Sequence, residues 1–296
     1  MIIILLFILF NYTYSYNFIQ FKNNMCIQKN NININNISVK IYNPVNKLNV
    51  PCAIFLTGLN NNIPIIAYDY FLQELSKNTT IIAVEHQFIN PQNYNKTTEK
   101  IKKIINWCQN NLTLYLNKYK CDYNNNLSLI SHSSSAQTVI NYLNISNSKY
   151  LDNIILLDPV DGDLNYNKNR ILNKSIYIDK PILITSNKYG NNLKYWPNFC
   201  PDEISSQHFY KNIETKEKKI LISMLEYGHG DLLNDNIIQL AEFLHIIKSY
   251  KKNNINSYKK YRELLSKIII NFINKDYVDL NMNIIQSNLL IDCINF

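Results

Sequence analysis

Leu127-Ser128-Leu129-Ile130-Ser131-His132-Ser133-Ser134-Ser135-Ala136 joins a short apolar run to a helix-length segment through a cluster of small hydroxyl residues. A strand that turns at once into a helix lifts the residue at the turn above the sheet edge, and Ser133 occupies that place. Strand and helix pass close together there, so the positions two before and two after the serine must be small, and glycine is the usual solution. Ser131 and Ser135 fill both positions. Serine fits, although it accepts strained backbone less readily than glycine. Taken alone, the stretch is better explained as a serine-rich loop or helix N-cap. What surrounds it decides.

From about residue 38 onward, apolar runs alternate with helix-length segments, the pattern of a parallel sheet with crossover helices. The runs predict strands at Ile37 to Tyr42, Ala53 to Thr57, Thr80 to Val84, Leu127 to Ser131, Asn153 to Leu157, Pro181 to Thr185 and Lys219 to Leu225. Helices are expected over Ile65 to Ser76, Thr97 to Lys118, Ser134 to Leu143 and Ile204 to Ile213, with one or two closing helices over 237 to 273. The expected fold class is α/β, a mostly parallel sheet with helices on both faces. No repeat or Pro/Gly/Ser-rich linker divides the chain, which predicts one domain over 37–296. Residues 16–36 read as an Asn-rich lead-in, extended or loose, with neither period.

The chain has 296 residues, 46% hydrophobic and 18% charged, which supplies a large core and excludes a disordered protein. Its net charge of +8 would ordinarily raise nucleic acid or an anionic membrane as partner. Asn, Ile, Lys and Tyr dominate while glycine falls to five, as expected of A- and T-rich coding DNA. The lysine excess then needs no polyanion, and the Lys248 to Lys260 run reads as a solvated helix face. The expectation is no nucleic-acid partner. At the N-terminus the apolar run Ile2 to Phe10, followed by Thr13 and Ser15 at −3 and −1 spacing, predicts a secretion signal over 1–15. That run is too short to span a bilayer. No other segment spans, leaving surface association as the only membrane contact, and the mature chain is expected in a secreted or lumenal space. The six cysteines (Cys26, Cys52, Cys108, Cys121, Cys200, Cys293) are an even count that suggests disulfides there, of undetermined pairing. None has zinc spacing. Sequons such as Asn78-Thr79-Thr80 and Asn95-Lys96-Thr97 add little in so Asn-rich a chain.

Sheets of this kind place ligands at the carboxyl ends of their strands. One strand beyond Ser133, Ile154 to Leu157 ends in Asp158-Pro159-Val160-Asp161-Gly162, which puts a carboxylate at the same edge. The next strand end offers Ser186, Asn187, Lys188 and Tyr189 and no carboxylate. Asp158 is therefore the candidate acid and Asp161 the runner-up. The last strand leads into Glu226-Tyr227-Gly228-His229-Gly230-Asp231, with His229 where a general base would follow in the order Ser, Asp, His. His86, His208 and His245 read as ordinary satisfied polar residues. The glycines that survive (Gly58, Gly162, Gly190, Gly228, Gly230) all follow strand ends, which predicts backbone needs such as positive φ or close approach.

With these residues in place, the chain resembles the chlorophyllase family of α/β hydrolases. Ser131 to Ala136 is similar to the family's G-H-S-R-G-G, and Asp158 to Gly162 matches its D-P-V-D-G. Pro181 to Gly190 resembles P-V-L-V-I-G-S-G-L-G, and Cys200 to Glu203 with His208-Phe209-Tyr210 resembles C-A-P-x-G followed by N-H-x-x-F-[FY]. Tyr227 to Leu233 is similar to Y-G-H-x-D-M-L. The likeness runs in order over roughly residues 40 to 245. It implies a serine carboxylic-ester hydrolase acting on a hydrophobic ester or lipid-like substrate without metal or cofactor, with Ser133, Asp158 and His229 as triad. Thr57-Gly58-Leu59 matches the family's H-G-[YF] oxyanion loop, so the backbone of Leu59 and Ser134 would bind the oxyanion. Thr57, Ser134 and the elbow serines depart from the family pattern. Chlorophyllases cleave the phytyl ester of chlorophyll. Segments 163 to 178 and 187 to 206, with Tyr189, Tyr195, Trp196 and Phe199, are expected to wall such a substrate. Two rival readings remain: a secreted lipase or phospholipase using the same triad, and a non-catalytic binding protein on the same scaffold.

Overall fold

The computed structural model describes residues 27–85, 94–146, 148–162, 170–187, 202–224, 227–243, 255–286 and 290–295. Among them the strands are β1 (Ile27–Ile34), β2 (Ile37–Pro44), β3 (Val50–Leu56), β4 (Thr80–Val84), β5 (Tyr123–His132), β6 (Asn153–Leu157), β7 (Ile176–Tyr177), β8 (Ile182–Asn187), β9 (Ile213–Glu214), β10 (Lys219–Met224) and β11 (Leu290–Asn295). The helices are the single turn α1 (Gly58–Asn61), α2 (Asp69–Leu75), α3 (Tyr94–Asn117), α4 (Ser135–Ile145), α5 (Ser206–Asn212), α6 (Asp235–Phe243), α7 (Ile255–Ile273) and α8 (Tyr277–Gln286). Nine strands form one sheet in the order β1-β2-β4-β3-β5-β6-β8-β10-β11. The six from β4 to β10 are parallel, and β1, β2 and β11 pair antiparallel at the two ends.

β3, β4 and β6 are buried at every position, as strands covered on both faces must be. Their side chains alternate between two cores. Val50, Cys52, Ile54 and Leu56 of β3 join Ile154 and Leu156 of β6 on one face, against the α3 stripe Ile101, Ile104, Ile105, Cys108, Leu112 and Leu116. Ala53, Phe55, Ile155 and Leu157 point the other way, against α2, α7 and α8 through Phe71, Leu72, Leu265, Ile269, Phe272 and Leu280. The α3 stripe recurs at three- and four-residue spacing, which gives a helix one apolar face. Either layer, stripped from the sheet, would leave a row of aliphatic side chains in water at about 25 cal/mol per Å².

The predicted strands all form, and two segments and the cysteines differ from expectation. Residues Ile27–Ile34 of the lead-in are strand β1, paired along its length with β2. Asn35 and Asn36 make the connection with φ of 51° and 65°, the left-handed pair that a two-residue hairpin requires. The C-terminal region continues past the expected closing helices into α8 and β11. Cys52, Cys108 and Cys121 are buried with free thiols, so the expected disulfide framework is absent among the described residues. Cys52 and Cys108 instead fill space in the first core as small apolar side chains. Cys26, Cys200, the side chain of Cys293, residues 1–15, His86, His245, Gly190 and the Asn95 side chain lie outside the described residues.

Candidate active site

β5 ends at His132, and Ser133 turns the chain with φ of 58° before α4 begins at Ser135. A non-glycine residue in the left-handed region costs on the order of 1 kcal/mol or more and persists only where neighbours fix it. Here they do: Ser133 N–H donates to the Leu157 carbonyl at 3.0 Å, and its own carbonyl accepts from Ala136 N–H at 3.1 Å. Neither Ser131 nor Ser135 has positive φ. The glycines usual at those places are needed here for their size alone, which serine nearly matches. Ser135 Oγ donates to the Thr57 carbonyl, tying the elbow to the loop after β3. Ser131 Oγ is buried without a partner.

His229 is brought to the same rim by the loop after β10. Its Nδ1 lies 2.6 Å from Asp158 Oδ2 and its Nε2 2.9 Å from Ser133 Oγ. Ser133 and Asp158 are 6% and 2% exposed, so the bonds sit largely out of water. Asp158 also has positive φ, 44°, and its N–H donates to both the carbonyl and hydroxyl oxygens of Thr185. Its Oδ1 accepts from Asn187 N–H at 3.0 Å and Ser206 Oγ at 3.3 Å. The carboxylate is held in one orientation with Oδ2 left for the imidazole. Such an Asp fixes the tautomer that leaves Nε2 able to accept a proton from the serine.

Asp161 lies elsewhere in the network. It is fully buried and accepts from His208 Nε2, Gln137 Nε2 and the N–H groups of Ile171 and Leu172. Burial alone would raise its carboxyl, and these donors more than offset that and hold it below the usual range. Asp161 anchors the chain after β6, and His208 is the satisfied polar residue expected.

Leu59 lies in the turn α1 with φ of 50°, and Ser134 caps α4 next to Ser133. The preceding N–H, of Gly58, is taken by the Tyr68 hydroxyl at 2.9 Å. Asn61 closes the same loop, its Oδ1 accepting from Thr57 N–H at 2.8 Å. None of the described glycines has positive φ. The need that Gly58 meets is close approach: a Cβ there would lie 3.0 Å from His132 Nδ1, the Tyr68 hydroxyl and Ile63. Tyr189, Tyr195, Trp196 and Phe199 lie outside the described residues.

Residues outside the expected site set complete the site. Asn187 Nδ2 donates to the Gly228 carbonyl at 3.0 Å and to the Tyr261 hydroxyl at 3.1 Å, bridging the loops that carry Asp158 and His229. Tyr261 stacks on Tyr227 with centroids 4.3 Å apart. Asp231 Oδ2 accepts from Gly228 N–H at 2.8 Å, and burial pushes its carboxyl up to about 7. Among the described residues no cluster of side chains could hold a metal ion, and no helix is long and apolar enough to cross a membrane.

The family model for chlorophyllase matches residues 11–289. The chain belongs to the chlorophyllase family. It is thereby a carboxylic ester hydrolase, and the match extends well beyond the 40 to 245 span of the motifs. Two solved structures of an esterase from the archaeon Pyrobaculum calidifontis, one a monoclinic form and one described as hyperthermophilic, share the fold. Each is 9% identical, with a TM-score of 0.52 over 86% of this chain and 87% of that one. At that identity the likeness speaks for the α/β-hydrolase fold alone. No curated protein matches the chain.

Proposed function

We propose that this chlorophyllase-family chain hydrolyses a hydrophobic carboxylic ester through Ser133, His229 and Asp158. His229 Nε2 takes the proton of Ser133 Oγ as the oxygen attacks the ester carbonyl carbon. Asp158 stabilises the imidazolium that results. The N–H groups of Leu59 and Ser134 stabilise the oxyanion, each worth about 3 kcal/mol of barrier. His229 returns the proton to the leaving alcohol, an acyl-serine forms, and water activated by the same imidazole releases the acid. The observation that carries this reading is His229 bridging Ser133 and Asp158 at 2.9 and 2.6 Å.

Ser133→Ala should lower turnover of a short p-nitrophenyl ester by about 10⁴-fold or more and abolish fluorophosphonate labelling. Undiminished turnover in that variant would refute the assignment. A hydrophobic ester follows from the family, with Tyr189, Tyr195 and Trp196 as the wall; rates on a panel of esters should rise with alcohol length. The apolar run Ile2 to Phe10 supports secretion, and N-terminal sequencing of exported protein should begin at Tyr16.

A further inference from the structure

His132 precedes Ser133 in the chain, yet its imidazole takes no part in the proton path above. It is 2% exposed. Its Nδ1 lies 2.8 Å from the Tyr68 hydroxyl and its Nε2 3.1 Å from the backbone carbonyl oxygen of His229. A carbonyl oxygen can only accept, so Nε2 carries the hydrogen and Nδ1 of the neutral ring is an acceptor. Tyr68 must then donate its hydroxyl hydrogen to Nδ1, which leaves its oxygen to accept the Gly58 N–H at 2.9 Å. The donors form one directed chain: Gly58 N–H to Tyr68, Tyr68 O–H to His132, His132 N–H to the His229 carbonyl. It starts in the loop that carries Leu59 and ends on the residue that carries the general base.

Two further observations fit a built connection. The Gly58 Cβ position lies 3.0 Å from both His132 Nδ1 and the Tyr68 hydroxyl, so any larger residue would force the joint apart. The His132 and His229 rings lie 4.8 Å apart at 30°, which places the second imidazole against the first. We propose that His132, held by Tyr68, is a positioning residue for ester hydrolysis that sets the spacing between the oxyanion loop and His229. The proposal rests on the assignment of Ser133, His229 and Asp158 above.

A protonated His132 would turn Nδ1 from acceptor to donor, leaving the Tyr68 O–H without its acceptor and reversing that link of the chain. Burial, and secondarily the charge of His229, push its titration well below the usual histidine range. Tyr68 and His229 are the titratable groups that face it, and no carboxylate among the described residues bonds to it.

The test compares His132→Phe, His132→Gln and Tyr68→Phe in the full chain, with turnover counted per site labelled by fluorophosphonate. His132→Phe should lower kcat about 30-fold with KM within threefold, as a misplaced base does. His132→Gln, whose amide N–H reaches the same carbonyl, should recover to within about fivefold of wild type, and Tyr68→Phe should lose about tenfold. Wild-type turnover in His132→Phe, or no rescue by glutamine, would overturn the proposal. Nitrogen NMR of the wild-type ring supplies a readout that needs no variant: His132 should stay neutral with Nε2 protonated from pH 5 to 8. A titrating or Nδ1-protonated ring in that range would equally overturn it. Failure of the wild-type chain to label would instead strike the Ser133 assignment, which the NMR signal does not depend on.

Discussion

Asp158 directly follows an apolar run, and Ser133 and His229 follow one after two and three intervening residues. A parallel sheet gathers such positions at one rim, where the His229 side chain lies within hydrogen-bond distance of the other two. The serines that replace the elbow glycines are explained by backbone angle. Only Ser133 is left-handed, so positions 131 and 135 need smallness and not conformational freedom. Ser135 adds a hydrogen bond to the Thr57 carbonyl that glycine could not make. Ser135→Ala should therefore cost about 1 to 2 kcal/mol of stability, the range for a lost buried hydrogen bond. Because the bond ends on the oxyanion loop, kcat should also fall severalfold. Urea midpoints and ester kinetics measure both, and a variant equal to wild type in each would show the bond idle. Asn187, Tyr68 and His132 escaped a sequence reading for a common reason. They act through neutral hydrogen bonds, and nothing in an amide, a phenol or a motif-internal histidine distinguishes a bridging role from ordinary burial.

At the scale of elements, β3, β4, β6, β8 and β10 were legible as apolar runs, whereas β1 was obscured by composition. Asparagine fills most of its outward positions, yet Ile32 and Ile34 alternate toward Ile37, Val39 and Ile41 across an Asn-Asn turn. That alternation about a turn-forming pair was the available signal. Helix α7 shows how an element far along the chain supports the site. Arg262, 4% exposed, donates to the Leu233 carbonyl at 2.8 Å and to Asp235 Oδ1 at 2.7 Å, and lies over the Tyr70 ring. It fastens α7 to the segment leaving the His229 loop. Arg262→Ala leaves a carbonyl and a carboxylate without this partner and should destabilise the fold by about 3 kcal/mol. Arg262→Lys should recover part of that loss, because an ammonium cannot reach both acceptors in the fork geometry of a guanidinium. Thermal melts of the two variants order them, and a lysine variant worse than alanine would contradict the account.

Across the whole molecule, glycine scarcity has been met by asparagine. Asn35, Asn36, Asn46, Asn49, Asn61 and Asn125 all hold left-handed backbone, the conformation that asparagine tolerates best after glycine. The surviving glycines could therefore be kept for packing, as at Gly58. A second property of the whole molecule, its stability against pH, follows from Asp231. Its Oδ2 accepts from Gly228 N–H, while Oδ1 is buried without a partner. Burial raises the carboxyl from 3.8 to about 7, the charge of Glu242 adds to the rise, and Gly228, Arg262 and His229 oppose it. Between about pH 4 and pH 7 the folded chain thus keeps a proton that the unfolded chain has lost. Stability from this group is full below pH 4, falls as pH rises through that window and levels above 7. The shift corresponds to a few kcal/mol, of the order of 4. Asp231→Asn removes the titration, so the variant should gain on wild type by up to that amount between pH 4 and 7.5, with the difference flat outside the window. Urea unfolding of both proteins at pH 4, 5.5 and 7.5 measures it. A difference that stays constant with pH would mean that Asp231 ionises in the folded chain as freely as in the unfolded one, and that its burial costs nothing.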